Sequence, residues 1–298
     1  MKCIISGGSG FIGRKFVQSL LKDDHYVSVW SRNPGEETRS AVGSFYWDTV
    51  GGEPAEESLN DFDAVIHLAG EPVAQRWSDE VKKKIRDTRV LGTRHLVSAL
   101  GKVRHRPSIL VCASAVGYYG DRGEEILTEQ SGQGRGFLAD VCREWEQEAD
   151  GAAALGMRVV KIRISVVLGK DGGALKQMLP PFRAGVGGKL GSGKQWMPWI
   201  HVNDLVGLLR FALENEIAGV FNGASPEPVT NAKFTEAMSG VLHRPAILPV
   251  PGLALKLLFG EMAQVMLSSE RVLPKAAEAA GFKFTFPEIR AALRDVVG

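Results

Sequence analysis

Seven consecutive residues, Gly7-Gly8-Ser9-Gly10-Phe11-Ile12-Gly13, carry the most specific chemical signal in the chain. Gly7, Gly10 and Gly13 satisfy a GxxGxxG spacing, and Gly8, Gly10 and Gly13 satisfy GxGxxG. The loop follows a short apolar run, residues 2 to 6, and opens a stretch in which Phe16, Val17, Leu20 and Leu21 recur at helical spacing. In that context the first glycine permits a tight turn, the middle one lets the backbone approach a diphosphate, and the last lets the helix pack closely on the strand. Unpaired N–H groups at the helix start, around Phe11 and Ile12, together with the partial positive charge there, suit an anion. About twenty residues beyond the loop, where a carboxylate would meet a ribose 2′-hydroxyl, the chain reads Ser31-Arg32. A hydroxyl and a planar guanidinium fork suit a 2′-phosphate, which an acidic residue would repel. The expected ligand is NADP(H); an ordinary surface charge is the alternative reading of Arg32.

Strands and helices must alternate to place these groups. Tyr26 to Trp30, Ser44 to Trp47, Asp63 to Ala69, Ser108 to Ala113 and Arg158 to Ile164 read as strands, and Asp79 to Leu100 and Ala139 to Ala154 as helices between them. Such alternation implies parallel pairing and right-handed crossovers, hence an α/β, doubly wound Rossmann sheet covered by helices on both faces. After Gly169 the texture turns Gly- and Pro-rich through Leu179-Pro180-Pro181-Phe182 and on to Gly193. That segment reads as a loop-rich cap over the carboxyl ends of the strands, not as a core layer. Residues 1–170 are expected to form the nucleotide domain and 171–298 a smaller C-terminal cap or substrate domain. About 199–225 should return to the Rossmann sheet, with helices around Ala232 to Leu242, Gly252 to Phe259 and Pro287 to Val297.

Composition excludes other classes. A net charge of +2 over 298 residues, with Lys82-Lys83-Lys84 as a solvated helix face, gives no field for a nucleic-acid backbone. No apolar run approaches the roughly 20 residues that cross a bilayer. The apolar start runs straight into the glycine loop, so it does not read as a cleaved signal, and a cytoplasmic location is expected. Cys3, Cys112 and Cys142 lack metal-ligand spacing and are expected to be reduced and buried; no metal site is expected.

The glycine loop, Val90-Leu91-Gly92-Thr93, Ser114 followed by Tyr118-Tyr119-Gly120, and Trp199-Ile200-His201-Val202-Asn203-Asp204 together resemble the extended short-chain dehydrogenase/reductase superfamily. Leu68-Ala69-Gly70-Glu71, residues 187–193, and Arg271-Val272-Leu273-Pro274-Lys275 are similar more narrowly to its atypical epimerase proteins of the SDR39U1 type, often labelled NAD-dependent epimerase/dehydratase. The resemblance implies NADP(H) contacts at Ser31, Arg32, Leu68, Ala69, Arg89 on the long helix, and near Val167. Arg89 stands three residues before Gly92, where most extended members carry Asn; a cofactor phosphate or a surface salt bridge are its two readings. Asp48 suits either an adenine pocket or a turn.

The superfamily moves a proton with a Tyr-x-x-x-Lys pair, and here Leu138 and Cys142 stand at those positions. Neither replaces a tyrosine whose phenol, with a pKa near 10, needs a neighbouring cation to act near neutral pH. Ser114 and Tyr118 are the leading substitutes, with Ala115 as the strict counterpart of the superfamily's hydroxyl. Glu71, Tyr119 and His201 are further candidates, although His201, preceding a helix, reads more readily as a structural hydrogen-bonding residue. Two functions fit: an NADP(H)-dependent oxidoreductase or epimerase acting on an unidentified small molecule, or a protein that binds NADP(H) without turnover.

Overall fold

The computed structural model describes residues 1–34 and 43–297. Seven strands form one parallel sheet: β1 (Lys2–Ser6), β2 (Tyr26–Ser31), β3 (Gly43–Tyr46), β4 (Ala64–His67), β5 (Ile109–Ala115), β6 (Arg158–Ile164) and β7 (Gly219–Gly223). Their order is β7-β6-β5-β4-β1-β2-β3, so the direction of winding reverses at β1 and leaves a crevice at the carboxyl ends of β1 and β4. The expected doubly wound sheet is therefore what forms. Ile4, Ile5, Val65, Ile66, Leu110 and Val111 are buried, as parallel strands covered on both faces require.

Two layers of helices cover the sheet. Helix α1 (Phe11–Leu21) and α5 (Val202–Glu214) pack on one face, α2 (Asp79–Lys102) and α3 (Phe137–Ala154) on the other. Helix α2 starts where Ser78 accepts a hydrogen bond from the Val81 amide, with Asp79 and Glu80 in the first turn and Lys102 in the last. The three cysteines are free and buried.

Two expectations need correcting. The Pro-rich run after Gly169 is not all loop: α4 (Gly173–Arg183) passes through Pro180 and Pro181. Both prolines sit in its last turns, where they remove only two backbone bonds, and Leu175, Leu179 and Phe182 recur at helical spacing and bury in a third core with α6 (Asn231–Leu242). Nor does the whole stretch around 199–225 return to the main sheet. Gly219–Gly223 does, alongside β6, whereas Trp199–His201 pairs with Val166–Leu168 in a separate two-stranded sheet. The chain leaves the large sheet after Ile164, and its continuation takes a partner of its own.

Candidate functional site

The glycine loop lies at the crevice. Gly7 has φ +72°, a conformation that L side chains rarely adopt, and a Cβ there would sit 2.8 Å from the Leu68 carbonyl carbon and 2.9 Å from the Ala69 nitrogen. A Cβ on Gly13 would stand 2.1 Å from the Gly7 carbonyl oxygen, so the first turn of α1 rests directly on the loop. Gly10 is different: among the described residues the Gly7 oxygen, 3.2 Å away, is the sole neighbour its Cβ would meet. The outer side of the loop is thus open, and α1 begins there with no side-chain cap and no acidic residue in its first turn. The first amides of α1 therefore start at an open side of the loop, the setting in which a helix end takes an anion.

The end of β4 forms its wall. Leu68 donates its amide to the Ser6 carbonyl (3.1 Å) and Ala69 to the Ser6 hydroxyl (3.3 Å). The same hydroxyl is 2.6 Å from Nδ1 of His67, a fully buried imidazole whose Nε2 has no hydrogen-bond partner among the described residues. Burial, with the nearby Arg89 charge, pushes the His67 pKa down to about 4 and keeps the ring neutral. Ser31 ends β2 beside the cradle and accepts the Asn33 amide (3.0 Å), while the Arg32 side chain is exposed. Asp48 lines a pocket of about 340 Å³ with Phe45, Trp47 and Glu53, and its carboxylate also accepts the Val50 amide as a turn residue would.

Of the two sequence readings of Arg89, the surface salt bridge is not what forms. Among the described residues it has no ion pair; its Nη1 donates to the carbonyls of Glu71 (2.9 Å) and Ile85 (3.1 Å). The guanidinium lies under Gly70, where a Cβ would come within 3.0 Å of it, and 5.3 Å from the Trp145 ring centre. The bond to Glu71 ties α2 to the loop that follows Leu68 and Ala69. Val167 belongs to the strand Val166–Gly169, at the far side of the cradle from Ser31. Phe11 bridges to it: Cβ atoms at Gly169 and Gly172 would lie 2.4 and 2.5 Å from the Phe11 ring, and Gly173 meets both that ring and the Val167 carbonyl.

At the end of β5 Ser114 and Tyr118 belong to one polar network. Ser114 is 2% exposed, and its hydroxyl donates to Glu146 Oε1 at 2.6 Å. Glu146 in turn accepts a two-pronged hydrogen bond from Arg163, Nε to Oε1 and Nη2 to Oε2, both 2.8 Å. Arg163 Nη1 donates to the Tyr119 hydroxyl (2.9 Å), which donates to Asn222 Oδ1 (2.8 Å). The Tyr118 ring lies 3.4 Å from the Arg163 guanidinium carbon. Ser114 and Tyr118 therefore meet through Arg163, with the serine proton committed to a buried carboxylate. Ser114 is a strut of this network, and Tyr118 is the half-buried member. Tyr119 is excluded as a base near neutral pH, because burial pushes its phenol up to about 12 despite the adjacent Arg163. His201 is structural: Nδ1 accepts the Asn203 amide at the start of α5, Nε2 sits 3.1 Å from Asp295, and the ring stacks on Phe286. Glu71 accepts from Gln75 at the rim.

Glu146 and Arg163 were not singled out as chemical groups in the sequence. The available signal was Arg158-Val-Val-Lys-Ile-Arg-Ile, two further cations inside a strand buried on both faces, which must find anions. Lys161 finds Asp150 (2.5 Å) and Arg163 finds Glu146. Glu270 is 7% exposed, next to Ser269, which hydrogen-bonds Asp121 and Gly123 in the loop after β5.

A reversing parallel sheet with a glycine cradle at its switch point defines a Rossmann-type dinucleotide-binding protein. The chain belongs to the NAD dependent epimerase/dehydratase family, whose model matches residues 3–223; a domain of unknown function matches 250–296. It is 42% identical over 302 residues to an Arabidopsis thaliana chloroplastic homolog of epimerase family protein SDR39U1, covering 100% of this chain and 87% of that protein. With the Mus musculus SDR39U1 protein it shares 38% over the whole of both chains. The crystal structure of human SDR39U1 with NADPH superposes with a TM-score of 0.88 at 35% identity, covering 99% of each chain. No helix among the described residues is long and apolar enough to cross a membrane.

Proposed function

We propose that this chain is an NADP(H)-dependent oxidoreductase or epimerase acting on a small molecule bound between the crevice and the C-terminal segments. The observation that carries the reading is the glycine cradle, open outward at Gly10, walled by Leu68 and Ala69 and flanked by Ser31 and Arg32. Those residues, with the amides of Phe11 and Ile12 and the strand at Val167, would hold the diphosphate, the 2′-phosphate and the nicotinamide half. The NADPH in the human relative supports the same choice of cofactor. When bound, NADP(H) supplies hydride transfer. The chain orients the substrate, excludes water and moves a proton, and Arg163 fixes Tyr118 at the edge of that space. Arg89 supports the cradle from beneath.

One observation favours the rival reading of a binding protein without turnover. Leu138 is apolar, and burial pushes the Cys142 thiol up to about 12, so neither supplies the phenol and ammonium of the superfamily. Fluorescence titration tests the cofactor claim: NADPH is expected to bind at least about tenfold more tightly than NADH, roughly 1.4 kcal/mol of 2′-phosphate recognition. Equal affinities would sink it. Following NADPH absorbance against carbonyl compounds and sugar nucleotides separates the enzyme from the binding protein.

A further inference from the structure

We propose that helix α7 (Gly252–Phe259) and the segments packed beside it are a docking face for an anionic lipid surface, on which the protein lies without crossing it. Helix α7 turns one side inward, where Leu255 is 3% exposed. At about 3.6 residues per turn Leu253 and Leu257 fall on the opposite side, and they are 71% and 70% exposed. Leu258 beside them is exposed as well, and the apolar surface continues before the helix through Ile247, at 82%, Leu248 and Val186. A single apolar side chain in water needs no explanation, whereas a cluster of this size marks a surface that meets something.

The face is one surface, because its pieces are tied together. The Val250 amide donates to the Lys189 carbonyl (2.8 Å), and the Gly191 amide donates to the Val250 carbonyl (2.9 Å). A Cβ on Gly188 would stand 1.6 Å from the Leu248 carbonyl oxygen, and one on Gly185 would stand 3.7 Å from the Pro245 ring. Leu267, at the end of the next helix, Met262–Leu267, lies against both Gly191 and Gly252. At the other end of α7, Arg76 Nη1 donates to the Leu257 carbonyl (2.8 Å).

Charge selects the occupant. Residues 172–203 and 237–260, which build the face, contain no Asp or Glu, although the whole chain carries 34 acidic residues against 36 basic ones. Arg183, Lys189, Arg244 and Lys256 on these segments and Arg76 at the rim are exposed, and among the described residues none of them enters an ion pair. The first carboxylate after α7, Glu261, is held by Lys82 (2.9 Å). A second copy of this chain is a poor occupant: in a self-paired contact every group meets another from the same patch, so cations would meet cations. Leucines exposed to this degree project from the surface and line no groove, so the partner must yield to them, as acyl chains do. Leucines in the acyl boundary with arginine and lysine at the level of anionic headgroups are the arrangement of an interfacial helix.

Flotation of the whole protein with lipid vesicles tests the face. Binding is expected to phosphatidylcholine vesicles that contain about 30% phosphatidylglycerol, at least about tenfold weaker binding to phosphatidylcholine alone, and release by salt near about 0.5 M. Leu253→Ser with Leu257→Ser should weaken binding to the anionic vesicles at least about tenfold, and Arg244→Gln with Lys256→Gln should do the same. All four side chains are exposed, so both double variants should keep the wild-type melting temperature, which separates lost docking from a lost fold. No flotation with anionic vesicles overturns the proposal, as does equal binding to neutral ones or undiminished binding by the leucine variant. A dimer in sedimentation equilibrium that the leucine variant dissolves would give the face to a second copy, and retention on polyglutamate beads without flotation would give it to an acidic protein; either result overturns the lipid assignment.

Discussion

The cradle at β1 and the polar cluster at β5 lie at neighbouring strand ends of one sheet, yet they are built by opposite means. At the cradle, side chains are absent: Gly7 and Gly13 bring backbone against backbone, and the recognition surface is a set of amides and a helix end. At β5 the space is filled by side chains that satisfy one another, Ser114, Glu146, Arg163, Tyr119 and Asn222 in one chain of hydrogen bonds. The first region is poised for a ligand and the second is closed upon itself. A site can thus retain its cofactor geometry while its chemical side chains are exchanged, because the two draw on different kinds of residue.

The sharpest way to break this contrast is to unpair the closed region. Glu146→Ala should destabilise the fold by about 3–5 kcal/mol, because Arg163 would be left buried without its anion; denaturant unfolding measures it. Replacing both, Glu146→Leu with Arg163→Met, should cost much less. At the cradle the expected loss is in binding instead. Gly10 has φ −69° and ψ 170°, which valine adopts readily, so Gly10→Val should fold normally and weaken NADPH at least about 100-fold, roughly 2.7 kcal/mol. Gly13→Ala should lower the melting temperature first, since its methyl group meets the Gly7 carbonyl. A destabilised Gly10 variant, or a stable Gly13 variant with full affinity, would erase the distinction.

A third expectation concerns pH beside the cradle. His67 titrates near about 4 when folded and near 6.5 when unfolded, so the unfolded chain binds the extra proton between those values. Stability should therefore fall with falling pH in that window, by at most about 1.4 kcal/mol per pH unit from this group. His67→Gln should flatten the slope of unfolding free energy measured from about pH 7 to about pH 5. The smallest expected effect is at the exposed Arg32: Arg32→Ala should reduce the preference for NADPH over NADH about tenfold, or 1.4 kcal/mol, without changing stability. An unchanged ratio would show that the 2′-phosphate is read elsewhere.

Much of this architecture was legible in the sequence because it is local. Glycine spacing, the strand before it and the apolar helix period after it are confined to residues 2–21, and they describe one backbone conformation. The long helix α2 likewise declares its start through Ser78, Asp79 and Glu80. The β5 cluster was not legible, because its bonds join Arg163 to Glu146 across 17 residues and Tyr119 to Asn222 across 103. Periodicity says that Arg163 is inside; it does not say which carboxylate waits there. Helix α4 was hidden by Pro180 and Pro181, whose local preference was outweighed by burial of Leu175, Leu179 and Phe182.

Phe11 sits in the cradle by sequence and against the root of the C-terminal segments by contact, with Gly169, Gly172 and Gly173 around its ring. That makes the two halves poor candidates for free exchange between relatives. A transplant joined at the strand Val166–Gly169 would put foreign side chains where no methyl group fits. The recombination unit that keeps its shape is the C-terminal half together with the first turn of α1. A chimera that mismatches Phe11 with bulky residues at those positions should be repaired by shrinking residue 11, as a key is filed to a changed lock.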